Sequence, residues 1–419
     1  MDSLAIIGGR ELYGTVPISG AKNSALKVTA ASLLTDEPLI LENVPDLADV
    51  AMLRKLLEQH GAVQECEGST LTLHAKTIIS TLAPYDLVRK MRASFNVLGP
   101  LLAREGAAKV SLPGGCAIGA RPVDLHLKGL SALGAKIDLE DGYVVANVQG
   151  RLQGAKISFP FVSVGATEHT MLAATLAKGE TELINAAREP EIVDLAECLI
   201  AMGAKIEGAG TSTIKIEGVD RLSGTRHQVL PDRIETGAYA MSVGLTGGEL
   251  TLKNTRLDLL GAAIGVMEEA GLKITPHDDG FTVKRIADRC KGINIVTEPY
   301  PGFPTDLQAQ FMGMMTLADG TSTIKETIFE NRFMHAPELG RLGAKISVDG
   351  KTATVTGVEK LKGAPVMATD LRASMSLVMA GLAAEGQTIV NRVYHLDRGF
   401  ECLEEKLSNV GALIKRVAE

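Results

Sequence analysis

Residues 131–138, SALGAKID, contain the pattern that decides the fold. The phrase has the form of a helix end, a glycine cap in the left-handed conformation and the first residues of a strand. Five similar phrases occur elsewhere in the chain, and the six glycines are separated by 73, 69, 68, 72 and 68 residues. They are Gly61, Gly134, Gly203, Gly271, Gly343 and Gly411. Six copies at such even spacing predict six structural repeats of about 70 residues.

A second phrase recurs in step with the first, and it completes the predicted repeat. An apolar, Ala-rich helix ends at a turn and is followed by a strand, as in TLAKGETELI, residues 175–184. After the glycine cap come two more strands, joined in the second repeat by a hairpin turn at Asp141-Gly142. Each repeat is therefore predicted as strand, helix, strand, helix, strand, strand. Six repeats predict an α/β fold of two inside-out domains, with helices packed inside and sheets outside.

The domain boundaries follow from grouping the repeats in threes. The first domain is predicted at residues 22–229, and the second at residues 230–419 completed by the N-terminal residues 1–21. A chain of 419 residues is too long for one ordinary core, which agrees with two domains.

The composition is that of a soluble globular protein, with 45% apolar and 22% charged residues. The net charge of -7 argues against nucleic acid as the main partner. The N-terminus does not resemble a signal peptide, and no apolar run is long enough for membrane insertion. The five cysteines lack zinc-ligand spacing, which predicts a cytoplasmic protein with reduced thiols and no metal site. They are Cys66, Cys116, Cys198, Cys290 and Cys402.

Charged residues recur at matched positions of the repeats. The first helix of each repeat is predicted to begin fourteen residues before the turn that follows it. The residues at this position are Asn23 (beside Lys22), Arg92, Gly165, Asp306 and Arg372. Thirteen residues before the cap glycine, where the second helix is predicted to begin, stand Arg121 and Arg398. Helix N-termini have unpaired N–H groups that attract anions, so arginines there suggest a bound anion. The alternative is that each arginine is an ordinary solvated surface residue.

The second repeat is longer than the others between its turn and its cap glycine, by the loop Pro113-Gly-Gly-Cys-Ala-Ile-Gly119. A glycine-rich insertion is a candidate mobile lid. Its Cys116 lies five residues before Arg121, and nearby positive charge makes a thiol a usable acid or nucleophile at cellular pH. Otherwise Cys116 is a small apolar residue, the role that we predict for the other four cysteines.

A proline-rich segment, YPGFPTDLQAQF at residues 300–311, leads into Asp306. The three prolines that precede Asp306, at positions 299, 301 and 304, make this approach to the helix stiff. Asp306 is therefore either a rigidly held general base or only a cap at the helix N-terminus.

Nine motifs together resemble the bacterial UDP-N-acetylglucosamine 1-carboxyvinyltransferases, and the resemblance spans essentially the whole chain. They are SGAKNSALK (19–27), MRAS (91–94), LPGGCAIGARPVDLH (112–126), REPEIVD (188–194), LPDRIETG (230–237), FPTDLQAQF (303–311), ENRFMHAPEL (330–339), ATDLRAS (368–374) and YHLDRG (394–399). The resemblance implies transfer of an enolpyruvyl group from phosphoenolpyruvate to the 3-hydroxyl of the sugar nucleotide, for peptidoglycan synthesis. It implies small-molecule substrates, no cofactor, no metal and no obligate protein partner.

The resemblance also implies roles for individual residues. Cys116 would protonate the substrate methylene carbon and react with fosfomycin, and Asp306 would accept the proton of the sugar 3-hydroxyl. The catalytic residues would be Cys116, Asp306, Lys22 and Arg398. The phosphoenolpyruvate site would comprise Lys22, Asn23, Arg121, Arg332, Asp370, Arg372 and Arg398. The sugar-nucleotide site would comprise Asn23, Arg92, Arg121, Pro122, Val123, Asp124, Leu125, Ser163, Val164, Gly165, Asp306 and Ile328. Cys116 and Asp306 belong to different predicted domains, so they would meet when a cleft closes.

The chain departs from the family pattern at Phe161, where the family usually has lysine before Val-Ser-Val-Gly. A basic contact to the nucleotide diphosphate is therefore expected to be missing. Two alternatives remain. One is an enzyme of the 5-enolpyruvylshikimate-3-phosphate synthase type, against which the cysteine loop and FPTDLQAQF argue. The other is a non-catalytic repeat scaffold, which the single unmatched loop disfavours.

Overall fold

A computed structural model describes residues 2–89, 91–113 and 123–418 of the chain. These residues form two compact units. The middle unit contains the described residues between 20 and 230. The terminal unit contains residues 2–19 and 231–418.

Strands account for the outer part of both units. In chain order they are β1 (Ser3–Ile7), β2 (Leu12–Pro17), β3 (Leu39–Glu42), β4 (Val63–Glu67), β5 (Thr70–His74), β6 (Leu82–Ala83), β7 (Ala107–Ser111), β8 (Lys136–Glu140), β9 (Tyr143–Asn147), β10 (Lys156–Ser158), β11 (Glu180–Ile184), β12 (Lys205–Glu207), β13 (Thr213–Glu217), β14 (Arg226–Gln228), β15 (Gly248–Lys253), β16 (Leu272–His277), β17 (Gly280–Arg285), β18 (Ile295–Val296), β19 (Thr321–Lys325), β20 (Lys345–Asp349), β21 (Thr352–Thr356), β22 (Pro365–Met367), β23 (Gln387–Asn391) and β24 (Leu413–Val417).

The helices alternate with these strands. They are α1 (Lys22–Ala31), α2 (Ala48–His60), α3 (Tyr85–Val88), α4 (Leu98–Glu105), α5 (Asp124–Ala132), α6 (Val164–Ala174), α7 (Pro190–Ala201), α8 (Arg233–Thr246), α9 (Ala263–Glu269), α10 (Gln308–Met315), α11 (Ala336–Arg341), α12 (Leu371–Ala383) and α13 (Leu403–Ser408). Short 3-10 turns occur at Ser32–Leu34, Arg92–Val97, Leu257–Leu260, Thr305–Leu307 and Val393–Arg398.

The described strands form six four-stranded sheets that share one plan, three in each unit. Each sheet has one parallel pair, and its other two adjacent strand pairs are antiparallel, as in β10-β11-β13-β12. The middle unit also contains β6-β7-β9-β8 and β14-β3-β5-β4. The terminal unit contains β18-β19-β21-β20, β16-β17-β15-β2 and β22-β23-β1-β24. This common plan confirms an α/β fold built from repeats.

The repeated glycines have the backbone conformation that their position predicts. All six cap glycines have φ between 92° and 104°, the left-handed region that glycine adopts without a steric penalty. Asp141 and Gly142, with φ of 51° and 80°, form the turn of the β8–β9 hairpin. The helix-to-strand transitions were therefore predicted correctly.

Helices lie inside each unit and sheets outside. Every residue of α8 and of α10 is buried, and these two helices pack against each other and against α12 in the terminal unit. In the middle unit α6 packs against α4, α5 and α7, and α1 packs against α2 and α7. Strands such as β13 and β21 alternate between buried and less buried residues, as expected of a sheet with one face on the core.

Two strands do not join the repeat that follows them in sequence. β2 directly precedes α1, yet it pairs in parallel with β15 of the terminal unit. β14 precedes α8, yet it pairs in parallel with β3 of the middle unit. The chain leaves the terminal unit after residue 19 and returns to it at residue 231. β2 therefore lies in the terminal unit, just before the chain leaves it, and β14 lies in the middle unit, just before the chain returns. A uniform repeat of six elements in sequence order is therefore wrong for the first and fourth repeats, and it is also wrong for the sixth, whose sheet includes β1.

The four cysteines that the structure describes divide into two groups. Cys198 and Cys290 are buried, as predicted, and burial raises the pKa of their thiols to about 12 and about 11. Cys66 and Cys402 are exposed, so the prediction of a small buried apolar residue is wrong for both. Cys66 lies on β4, whose residues are mostly exposed.

Candidate active site

Asp306 is held between two arginines of the terminal unit. It lies in the turn Thr305–Leu307 that leads into α10. Arg332 Nη2 donates to Oδ1 at 2.8 Å, and Arg372 Nη2 donates to Oδ2 at 3.0 Å. Both arginines are almost completely buried. Charge-assisted hydrogen bonds of this kind stabilise a carboxylate and fix its direction. The structure thus brings together three of the predicted site residues.

Glu326 fixes the backbone around this cluster, and its role was not predicted. The side chain is buried and accepts hydrogen bonds from the Thr297 and Thr305 hydroxyl groups, each at 2.9 Å. It also accepts the N–H groups of Ile328, at 2.8 Å, and Phe329, at 3.1 Å. Glu326 therefore ties the Asp306 turn to the segment that contains Ile328, a candidate sugar-nucleotide contact that is partly exposed.

Asp370 and the buried His335 complete the cluster. Asp370 caps α12 by accepting the N–H groups of Arg372, at 2.9 Å, and Ala373, at 3.1 Å. Burial lowers the pKa of His335 to about 4, against the opposing effect of Asp370, and the charge of Arg332 lowers it further. Neither ring nitrogen of His335 has a hydrogen-bond partner among the described residues. His335 is therefore a neutral polar group buried beside the arginines.

Arg398 lies near Asp370 of this cluster, but it does not lie at a helix N-terminus. It is the last residue of the turn Val393–Arg398, and α13 begins only at Leu403. The prediction that Arg398 opens the second helix is therefore wrong, because the chain turns at Gly399 before the helix starts. Burial lowers the pKa of His395, and so does the positive charge of Arg398, whereas Asp370 raises it. Arg398, His395 and Asp370 are thus close enough to interact electrostatically.

The middle unit holds the second group of candidates, of which Lys22 is a buried charged residue. Lys22 is the first residue of α1, and its Nζ lies 2.9 Å from Asp49 Oδ2 near the start of α2. Both side chains are almost completely buried. Asn23 follows on α1 and is half-buried. Asp49 was not predicted, because no spacing rule connects these two residues of different helices.

The remaining described candidates lie at the beginnings of helices or turns. Arg92 opens the turn Arg92–Val97 before α4, and Ser163 caps α6 by accepting the Ala166 N–H at 3.3 Å. Val164 and Gly165 form the first turn of α6. Phe161, two residues before Ser163, is 62% exposed and contributes no charge. Before and at the start of α5 lie Val123, Asp124 and Leu125.

Three candidates lie outside the described residues. They are Cys116, Arg121 and Pro122. The predicted lid, residues 113–119, lies almost entirely outside them as well.

The chain matches a family model described as EPSP synthase (3-phosphoshikimate 1-carboxyvinyltransferase) over residues 6–407. Among curated proteins, UDP-N-acetylglucosamine 1-carboxyvinyltransferases from Maricaulis maris and Xanthobacter autotrophicus are 63% and 61% identical, with complete coverage of both chains. The chain belongs to this enolpyruvyl transferase family.

Solved structures of enolpyruvyl transferases share the fold. The enolpyruvyl transferase NikO from Streptomyces tendae superimposes with a TM-score of 0.91 at 27% identity, covering 100% of this chain and 99% of that one. An EPSP synthase from Acinetobacter baumannii gives a TM-score of 0.77 at 19% identity, with full coverage of both chains. The α/β architecture is therefore that of the enolpyruvyl transferases. In the described part of the chain, no helix is long and apolar enough to cross a membrane.

Proposed function

We propose that this protein transfers the enolpyruvyl group of phosphoenolpyruvate to the 3-hydroxyl of UDP-N-acetylglucosamine. The observation that carries the proposal is the cluster of Asp306, Arg332 and Arg372, found in a chain that matches its relatives over their full length. A carboxylate and forked cations side by side can accept a proton and bind an anionic substrate. No cofactor is needed for this addition and elimination.

The reaction would proceed in two balanced steps. In the addition, the sugar 3-oxygen loses its proton to a base and bonds to C2 of phosphoenolpyruvate, while C3 gains a proton and becomes a methyl group. In the elimination, the C2–O bond to phosphate breaks and the methyl group loses a proton. The products are the enolpyruvyl ether and inorganic phosphate. One acid and one base on opposite sides of C2 and C3 are required.

In the terminal unit, we assign Asp306 as the base for the 3-hydroxyl. Arg332 and Arg372 would bind the substrate carboxylate and neighbouring negative charge, because each presents a forked donor. Asp370 would hold the start of α12 in place, and Arg398 would bind the phosphate group. Ile328 would contact the sugar nucleotide beside the segment that Glu326 fixes.

In the middle unit, we assign Lys22 as a point charge for the phosphate, with Asn23 beside it facing both substrates. From the part of the chain outside the described residues, Cys116 would donate the proton to C3, and Arg121 would bind phosphate. Arg92 and the start of α6 would hold the sugar nucleotide. The further contacts to the nucleotide would come from Pro122, Val123, Asp124 and Leu125.

We further infer that the protein acts in the cytoplasm at the start of peptidoglycan synthesis. Cell-wall formation, cell shape and cell division would then depend on it, and fosfomycin would inactivate it by alkylating Cys116. The small-molecule substrates require neither nucleic acid nor a membrane.

Measuring phosphate release with alternative acceptors tests the proposal directly. With phosphoenolpyruvate present, we expect release with UDP-N-acetylglucosamine and none with shikimate 3-phosphate. Release with shikimate 3-phosphate alone would assign the protein to the synthase type instead. No release with either acceptor would favour a non-catalytic scaffold.

A further inference from the structure

Arg416, on β24, holds two carboxylates of the segment that contains Arg398. Its Nη1 and Nη2 atoms donate to the two oxygens of Asp397, at 3.0 and 2.6 Å. Its Nε atom donates to Glu404 Oε1 at 2.6 Å, and Nη2 also donates to Glu404 Oε2 at 3.4 Å. Asp397 directly precedes Arg398, and Glu404 lies in the first turn of α13. One guanidinium group therefore binds the chain on both sides of Arg398.

These contacts fix direction as well as position. A guanidinium group is a planar fork, and a carboxylate that accepts two hydrogen bonds from it is held in one orientation. The Arg416 side chain is 32% exposed. Ion pairs at this exposure usually add little stability, except where the geometry is bidentate and several charges form a network, as they do around Arg416. The contacts therefore restrict the path of the chain between Asp397 and Glu404.

The link from Arg398 to α13, residues 399–402, lies in neither a helix nor a strand. It ends at Cys402, whose φ of 48° is uncommon for a residue other than glycine. Such a conformation persists only where the surrounding contacts determine it. The link also passes very close to α12, because a Cβ atom at Gly399 would lie 2.4 Å from Leu371 Cδ1. Contacts with other parts of the unit must therefore hold this link against the first residue of α12.

Glu401, within the link, is anchored separately from Arg416. It accepts a hydrogen bond from the Ser19 hydroxyl group. Lys406, on α13, donates to Ser19 Oγ at 2.6 Å and to the buried Glu235, on α8, at 2.7 Å. This network holds α13 to α8 without Arg416. Replacing Arg416 should therefore release the end of the segment nearest the turn and leave the rest of the unit folded.

We propose that Arg416 is a positioning residue for phosphate binding, and that it orients Arg398 by fixing the backbone on both sides of it. The proposal rests on the proposed function, in which Arg398 binds the phosphate group of phosphoenolpyruvate. Ordering a long side chain on binding costs conformational entropy, and a fixed backbone lowers that cost. Arg416 does not bind the phosphate itself, because its three nitrogen atoms already donate to the two carboxylates.

Arg416→Lys tests this role without a change in net charge. Lysine is a single point charge and cannot bridge two carboxylates with forked donors. In the phosphate-release assay, we expect KM for phosphoenolpyruvate to rise about fivefold, the equivalent of one net hydrogen bond, and KM for UDP-N-acetylglucosamine to change less than about twofold. Asp397→Asn, which weakens the same contact from the other side, should shift KM in the same direction.

Combination with Arg398→Ala separates positioning from an independent effect. If Arg416 acts only through Arg398, Arg416→Lys has nothing left to orient in this background. The double variant should then have the same KM for phosphoenolpyruvate as Arg398→Ala alone. A further rise of this KM in the double variant would overturn the proposal, because Arg416 would then act by another route.

Arg289 provides a matched control in the same unit. Its side chain is 30% exposed, its Nη1 lies 2.9 Å from Asp319 Oδ1, and it donates to three backbone carbonyl groups. Arg289→Lys should lower Tm at least as much as Arg416→Lys but leave both KM values unchanged. An equal rise of KM for phosphoenolpyruvate in Arg289→Lys would overturn the proposal, because KM would then follow stability alone.

The outcomes also distinguish this inference from the proposed function. If wild-type protein releases no phosphate from phosphoenolpyruvate with UDP-N-acetylglucosamine, the proposed function fails and the inference fails with it. If the wild type releases phosphate and Arg416→Lys has the wild-type KM for phosphoenolpyruvate, only the role of Arg416 fails.

Discussion

At the scale of single residues, the candidate charges are paired with partners that lie far away in sequence. Lys22 contacts Asp49, and Asp306 contacts Arg332 and Arg372. The two arginines were predicted as substrate contacts, whereas their hydrogen bonds to Asp306 were not. Removing one partner of a buried ion pair leaves an uncompensated charge. The ion-pair partners therefore determine the position and direction of these candidate side chains. Residue type and register identified the candidates, but tertiary contacts set their geometry.

Cys116→Ser is expected to abolish labelling by fosfomycin and most turnover, because a hydroxyl group is a far weaker acid and nucleophile than a thiol. Cys116→Asp is expected to lose labelling but to retain turnover, because a carboxylic acid can still donate a proton to C3. Mass spectrometry after fosfomycin treatment, together with a phosphate-release assay, measures both. Exposed Cys66→Ser serves as the control and should behave as wild type. Persistent labelling of Cys116→Ser would identify another thiol as the reactive one.

Arg398→Ala is expected to weaken the binding of phosphoenolpyruvate far more than that of the sugar nucleotide, by roughly tenfold or more, since a charge-assisted contact to phosphate is lost. Calorimetric titration with each ligand measures this. Arg256, an exposed arginine of the same unit that pairs with Asp258, provides a matched control. Arg256→Ala should change neither affinity. Equal weakening of both ligands by Arg398→Ala would contradict a phosphate-binding role.

At the scale of secondary-structure elements, the cap glycines form the transition from helix to strand in each repeat. In the phrase GRLGAKIS, Gly340 lies within α11, whereas Gly343 follows the helix with φ of 96°. A Cβ atom at either position would meet nothing within 4 Å. The two glycines therefore differ in backbone conformation and not in available space.

Gly343→Ala is expected to destabilise the protein by about 1 kcal/mol, because alanine is strained at positive φ. Gly340→Ala is expected to stabilise it by up to about 1 kcal/mol, because alanine favours a helix. Urea unfolding of both variants measures these differences. If both variants lowered the free energy of unfolding by the same amount, the loss of backbone flexibility, and not the cap conformation, would determine the change in stability.

Sequence reasoning predicted the elements better than their partners. The positions of turn glycines and the spacing of apolar residues depend only on residues that are close in sequence. The helix caps and the β8–β9 hairpin could therefore be predicted. The partners of β2 and β14 were not predicted, because the repeated phrases show where strands lie and not which strand each of them pairs with. The turn that ends at Arg398 was missed because helical register was extended through Gly399. The hydrogen bonds from Arg416 to Asp397 and Glu404 were not predicted, because only the folded unit brings these residues together.

At the scale of the whole molecule, each unit has its own hydrophobic core. Leu199 lies in the core of the middle unit and Leu377 in that of the terminal unit, and both are fully buried. Each core can therefore be weakened separately by the same substitution.

Leu199→Ala and Leu377→Ala are each expected to destabilise one unit by about 2 to 5 kcal/mol, the usual cost of a cavity at a buried leucine. Differential scanning calorimetry should resolve two transitions, with a different one lowered by each variant. Exposed Leu139→Ala is the control and should lower neither transition substantially. A single transition lowered equally by both core variants would mean that the units unfold together.

The position of β1 has a consequence for protein synthesis. β1 leaves the ribosome before every other described strand, yet both of its neighbours, β23 and β24, come last among those strands, with Ser3 opposite Val417. The nascent middle unit has all its strands once residue 230 has emerged, whereas β1 must wait unpaired for almost the entire translation. During that time its apolar residues Leu4, Ala5 and Ile6 lack the partners that bury them in the folded unit.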